Sequence, residues 1–216
     1  MTTVRVSFSW KHFLYGILFG LLVLGLTACS GAPRQRPDAS PFYRLSTSIG
    51  TSDVKGVANR GTPESDSLTG RGMNVGLRGE VVQPISYLQN MEVGLRVGIT
   101  GRDVGAEPEG VQVDAESGEL SAVGVVRGLM PLGDAESVAF YAEGFAGYAH
   151  NWGTVQGGPV NVSDDGGGLL YGAGAGLDFR NGLTLGLEWS RRDFDIDPVE
   201  IRADDIALVL GVVIRF

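Results

Sequence analysis

One cysteine, two histidines and only 19% charged residues leave a chain of 216 residues with little material for catalysis. A lone cysteine cannot form an internal disulfide. No stretch gathers the lysines and arginines that a phosphate-tracking face requires, and the formal charge of −8 points the same way, so nucleic-acid binding is excluded. Past residue 29 no segment holds the 3.6-residue period of an amphipathic helix. Glycine is what abounds, with 34 residues, and glycine is common where sheets bend and pack closely.

Residues 1–28 read as an export signal: Arg5 and Lys11 supply the positive start and Phe13 to Leu26 the apolar stretch. That stretch, broken by Gly16, Gly20 and Gly25, is shorter than the roughly 20 residues a spanning helix needs. The segment Leu26-Thr27-Ala28-Cys29 resembles the lipobox of bacterial lipoproteins. The resemblance implies cleavage before Cys29, with diacylglycerol on its sulfur and a further acyl chain such as palmitate; no other cofactor is expected. Ser30 in place of an aspartate resembles the outer-membrane type of that signal. Cleavage removes two basic residues and no acid, leaving about −10. The lipidated start and the tether after it span residues 29–41. Three prolines and no apolar period over 30–41 make a tether that reaches about 35 Å when extended.

From residue 42 onward the chain alternates with period two, the pattern of strands with one apolar face. Eight such segments are predicted, at about 42–51, 72–82, 91–102, 119–130, 138–149, 169–179, 183–191 and 204–216. The third is the clearest: Met91, Val93, Leu95, Val97 and Ile99 alternate with Glu92, Gly94, Arg96, Gly98 and Thr100. Where alternation is weak, charge sets the phase. Arg127 and Glu143 must turn inward, because a charge at the bilayer midplane costs roughly 2 to 4 kcal/mol. In the last segment Ile206, Leu208, Leu210, Val212, Ile214 and Phe216 share one face. A lipid-facing strand satisfies its backbone only in a closed sheet, so the expectation is an all-β fold: an eight-stranded antiparallel up-and-down transmembrane β-barrel over 42–216.

The connections alternate in length: long at 52–70, 103–118, 150–168 and 192–204, short at 83–90, 131–137 and 180–182. Short periplasmic turns and long extracellular loops give that alternation. The turns contain Pro84, Asn90, Pro131-Leu132-Gly133-Asp134 and Arg180-Asn181-Gly182. Tyr43, Phe140, Phe179 and Phe216 are expected at the periplasmic interface, and Tyr148, Tyr171 and Trp189 at the outer one.

The eight segments, short turns and the terminal Gly211-Val212-Val213-Ile214-Arg215-Phe216 resemble the small outer-membrane barrels typified by the transmembrane domain of outer membrane protein A and its adhesin and opacity-protein relatives. The terminal segment is similar to that family's assembly signal, with Gly211, Ile214 and Phe216 as its marks, although Val209 stands where the signal usually has a polar residue. The resemblance implies integral residence in the bacterial outer membrane, with the lipid anchor on the periplasmic side. It also implies contact with outer-membrane lipid and with the barrel-assembly machinery during biogenesis. An envelope protein partner is expected at the extracellular loops or periplasmic turns.

The inward phase gathers Arg44, Arg78, Arg96, Arg127 and Arg215 with Glu80, Glu92, Glu143, Asp178 and Glu188. Eight strands enclose only enough room for their own side chains, so these charges are expected to pair into a plug, a lumen charge network. No catalytic residue and no metal site is expected. A serine hydrolase needs a histidine at its serine, and past the signal only His150 remains, with Ser163 and Ser190 as distant candidates. Asp164-Asp165-Gly166 and the Asp193, Asp195, Asp197 series lack the spacing of a calcium loop. Gly172-Ala173-Gly174-Ala175-Gly176 lacks the βαβ context of a dinucleotide loop. The expected function is non-enzymatic, structural or interactive: envelope integrity, surface contact, or a subunit of an envelope complex. A narrow channel for ions or small solutes is the alternative, and a lipid-modifying enzyme the less favoured third.

Overall fold

A computed structural model describes residues 40–58, 67–85, 88, 90–106, 113–133, 137–157, 160–196 and 199–214. The signal segment, Cys29, most of the tether, Arg215 and Phe216 lie outside these residues. Eight strands follow one another: β1 (Phe42–Ala58), β2 (Ser67–Pro84), β3 (Met91–Ala106), β4 (Val113–Leu132), β5 (Val138–Gly157), β6 (Val160–Phe179), β7 (Leu183–Ile196) and β8 (Val199–Ile214). Each pairs antiparallel with its neighbours in the chain, and β1 closes on β8 from Tyr43↔Ile214 to Ala58↔Val199. The sheet is a closed barrel with no free edge through its middle.

The distribution of side chains is inverted relative to a soluble barrel. Leu95, Val97, Leu185, Leu187, Leu208 and Leu210 stand exposed on the outer wall, while Arg44, Arg96, Glu119 and Arg192 are buried inside. Only a solvent of lipid rewards that arrangement. The outer apolar band stops at a ring of charged pairs: Asp53–Arg71 at 2.9 Å, Arg191–Asp204 at 2.7 Å and Asp193–Arg202 at 2.8 Å. Just below this ring Tyr171 and Trp189 meet edge to face, ring centroids 6.1 Å apart. Those two rings sit at one rim of the band, and Tyr43 and Phe140 at the other, next to the chain ends.

The expected long loops are largely strand instead. Of 150–168, for example, β5 takes the chain to Gly157 and β6 resumes at Val160, the two remaining paired throughout. Polarity marks where the chain leaves lipid, not where it leaves the ladder, and an antiparallel hairpin keeps its backbone hydrogen bonds in water as well. The same holds for 52–70, 103–118 and 192–204, of which only 59–66, 107–112 and 197–198 fall outside described residues. At the opposite end the turns are tight. Asn181 accepts from the Leu183 amide at 3.1 Å, and Gly182, at φ 87°, donates to the Phe179 carbonyl at 2.9 Å. Such a left-handed position is one that glycine fills without strain.

Candidate functional site: a two-tiered lumen

Alternation delivers every second residue of each strand to the lumen, and the register decides which meet. In the half nearer the chain ends, direct cross-strand pairs include Arg44↔Glu80, Glu80↔Arg96, Glu92↔Arg127 and Arg127↔Glu143. The side chains then reach beyond their neighbours. Arg96 donates from Nε to Glu80 at 3.1 Å, from Nη2 to Glu143 at 2.6 Å and from Nη1 to Glu188 at 3.0 Å. Arg78 meets the same Glu188 oxygen at 2.6 Å. Arg127 donates to Glu143 through both Nε and Nη2 and lies 3.5 Å from Glu92. Arg44 lies 3.5 Å from Glu80, 3.6 Å from Glu92 and 3.9 Å from Asp178. Thus nine of the ten residues expected in the lumen network assemble there; the tenth, Arg215, is outside the described residues.

Aromatic faces complete this tier. The guanidiniums of Arg44, Arg96 and Arg127 sit over the rings of Phe42, Phe145 and Tyr141 at 5.6, 5.3 and 5.1 Å. Stacking of this kind spreads the cationic charge over a polarisable surface that excludes water. Room for these side chains comes from the adjacent strand β6, where Gly172 pairs with Phe145 and Gly174 with Glu143. A Cβ on Gly172 would lie 2.4 Å from the Phe145 ring, and one on Gly174 3.3 Å from the Glu143 side chain.

A second tier lies nearer the other end. Glu119, fully buried, receives Arg102 at 2.9 Å and Arg192 through its Nε. Asp205 receives the same two arginines, at 3.3 and 2.5 Å, and also the Ser52 hydroxyl at 2.6 Å. Asn74 donates to Ser52 at 3.0 Å, and Arg192 to Ser190 at 3.2 Å. Two acids sharing two bases form a closed ring of ion pairs. None of these four charges is among the residues expected in the lumen network: Arg102 and Arg192 have the polar outward neighbours Asp103 and Arg191, while Glu119 and Asp205 stand at the last apolar outward positions, Leu120 and Ile206. The usable signal was parity, since Arg102 and Arg192 continue the inward phase of Arg96 and Glu188. Between the tiers, on β4, β5 and β6, lies an apolar layer of Val123, Val125, Phe145, Ala149 and Leu170.

Other sequence candidates are dispersed. His150 stands on the outer face of β5, half exposed, with Nε2 3.5 Å from Asp165 and its ring 6.3 Å from that of Trp152. Ser190 is buried on the lumen side of β7, so the wall separates it from His150. Ser163 lies in β6, where the backbone alone is described. Among the described residues no group of acidic, histidine or cysteine side chains is placed to hold a metal ion. Gly211 pairs with Thr184 and Ser46, and Ile214 with Tyr43, at the closing seam of the barrel; Phe216 is outside the described residues.

Comparison with known proteins follows the fold. The family model of the outer membrane protein beta-barrel domain matches residues 20–216. Among solved structures, the chain is similar to Ail, the attachment invasion locus protein of Yersinia pestis, at 16% identity over 78% of this chain and 97% of that one, TM-score 0.41. It is similar to Neisserial surface protein A at 12% identity over 78% and 96%, TM-score 0.41, and to OprG of Pseudomonas aeruginosa at 10% over 82% and 97%, TM-score 0.43. A comparison with curated proteins finds no match. An apolar outer wall, a charge-filled lumen and a family match over nearly the whole chain converge: the chain is an integral protein of the bacterial outer membrane and belongs to the outer membrane protein β-barrel domain family.

Proposed function

We propose that this protein is a non-enzymatic outer-membrane lipoprotein whose plugged barrel serves as a rigid mount for its surface-exposed hairpins, in envelope integrity, surface contact or an envelope complex. The observation that carries the proposal is the double tier of ion pairs spanning the lumen, notably Arg96 on β3 joined to Glu188 on β7. A barrel filled this way commits its interior to rigidity, and the surfaces left for recognition are its ends. In this reading the end with both chain termini and tight turns faces the periplasm, with a lipid on Cys29 adding a second anchor beside the outer-membrane lipid around the wall. The barrel-assembly machinery would take the nascent chain by Gly211, Ile214 and Phe216.

Enzymatic lipid modification draws no support from the residues, since His150 and Ser190 occupy opposite faces of one wall. Lipid A profiles by mass spectrometry, from cells with and without the protein, should be superimposable. A change in acylation reversed by the wild-type gene and not by His150→Ala would overturn the non-enzymatic reading.

One observation favours the channel alternative. Arg44 Nη2, Ser48 Oγ, Thr184 Oγ1, Glu119 Oε1 and Asn151 Nδ2 are buried without a protein hydrogen-bond partner. Buried polar atoms of this kind are normally met by water, so a thread of water past both tiers is the form a conducting path would take.

A further inference from the structure

Seven of the eight strand pairings join neighbours in the chain, where the connecting segment limits the register. The eighth, β1 on β8, joins the two ends of the barrel and has no connecting turn, so side chains must fix it. Alternation excludes a slip of one residue, which would turn every side chain to the wrong face. A slip of two keeps both faces: outward Ile206, Leu208 and Leu210 would still meet lipid, and inward Ala203, Ala207, Val209, Gly211 and Val213 the lumen. The outer face does not favour the observed register either. It sets Asp53 opposite Asp204 and Lys55 opposite Arg202, and like charges directly across a ladder are destabilising. Arg71, Arg191 and Asp193 relieve three of the four from their other sides. Sliding β8 until Ile49 meets Leu210 in place of Leu208 would set Lys55 opposite Asp204, acid against base.

What distinguishes the registers is Asp205, among the described residues the one polar side chain that β8 brings to the lumen. Ser52, directly opposite on β1, donates to its Oδ1 at 2.6 Å. Arg102 of β3 and Arg192 of β7 donate to its Oδ2 at 3.3 and 2.5 Å, and Asn74 of β2 holds Ser52 at 3.0 Å. One carboxylate thus fills a socket built by strands on both sides of the seam. Asp205, Ser52, Arg102 and Arg192 are all buried. With β8 slid by two, Ala207 would face Ser52, and Ser52 and Arg102 would lose this acceptor inside the lumen, where unpaired polar groups are costly.

We propose that Asp205 is the positioning residue that sets the register of barrel closure. Its carboxylate, seated among Ser52, Arg102 and Arg192, selects the observed pairing of β1 with β8 over the pairings two residues away. The inference is independent of what the projecting hairpins contact.

Disulfide trapping reads this register, since a bridge needs Cα atoms within about 7 Å and diagonal partners lie at about 7–8 Å. The full chain is refolded in lipid vesicles with Cys29→Ser, so that the introduced cysteines are alone. Ile49→Cys is then combined with Ile206→Cys, Leu208→Cys or Leu210→Cys, all on the outer face. With Asp205 in place, the Leu208→Cys pair should oxidise at least about tenfold more than either alternative. Asp205→Ala should reduce that preference to about threefold or less, with the gain at Leu210→Cys. Asp205→Ala with Ala207→Asp keeps every charge and moves the carboxylate two residues along β8; it should make the Leu210→Cys bridge the major one. Glu119→Ala removes the tier's other carboxylate, which bonds to Arg102 and Arg192 and not to the seam, and should leave the Leu208→Cys bridge dominant. An undiminished preference for Leu208→Cys in both Asp205 variants would overturn the proposal. An equal shift in Glu119→Ala would do the same, since it would mark a loosened tier. Where Asp205→Ala folds too poorly to oxidise, the relocated variant decides: its failure to fold, or its closure in the native register, contradicts the assignment.

Discussion

Arg96 reaches across the barrel to Glu188: Nη1 on β3 lies 3.0 Å from the carboxylate on β7, four strands away around the wall. Glu188 also holds Arg78, so one carboxylate ties two strands on one side to a third on the other. Glu188→Ala should cost about 3 kcal/mol, the low end for a broken buried pair, since it leaves part-buried Arg78 without that carboxylate and takes one of three from buried Arg96. Urea unfolding in lipid vesicles measures it; a change below about 1 kcal/mol would mean that Glu80 and Glu143 suffice for Arg96.

Two glycines separate lumen from lipid face. A Cβ on Gly172 would meet the Trp189 carbonyl at 2.3 Å and the Phe145 ring at 2.4 Å, whereas one on Gly144 finds nothing within 4 Å. Gly172→Val should destabilise by about 1–3 kcal/mol or more through overpacking. Gly144→Ala should stabilise by about 0.5–1 kcal/mol, because alanine restricts the unfolded chain. The same unfolding assay checks both signs.

The membrane level is testable on the outer wall. Leu187 is 61% exposed in the apolar band, and Thr51 lies beside the Asp53–Arg71 pair at its rim. Leu187→Arg should cost about 2–4 kcal/mol and Thr51→Arg about 0–1. Equal costs at both positions would mean that the band is not where the bilayer sits.

For the amino terminus, Cys29→Ser should abolish metabolic labelling with palmitate while the barrel stays in membranes washed at high salt. Persistent labelling would place the acyl chain elsewhere, since Cys29 is the only cysteine. Release by the wash would contradict an integral barrel.

The period-two pattern made the barrel legible, because lipid outside and charge inside impose opposite chemistry on successive residues. Met91 to Thr100 alone fixes the phase of β3, and the rule that Arg127 cannot face lipid fixes that of β4. The tier around Arg96 and Arg127 follows from that phase. Less legible were the strands beyond the lipid, since Thr154 or Asp165 looks the same in a solvated ladder as in a loop. Polarity on both faces also hid Arg102 and Arg192, whose outward neighbours are Asp103, Arg191 and Asp193. Glu119 and Asp205 differ, since outward Leu120 and Ile206 beside them mark both as inward positions. What the pattern lacked there was any sign that the ladder, and with it the filled lumen, continues past the lipid. Which acid meets which base depends on register and side-chain reach, and no single-sequence pattern encodes the span from Arg96 to Glu188.

The central claim is that the two tiers of ion pairs close the lumen. Planar-bilayer recording of the refolded wild-type protein tests it most directly: the paired lumen predicts a baseline without reproducible steps, and stepwise conductance scaling with the number of inserted barrels would contradict it.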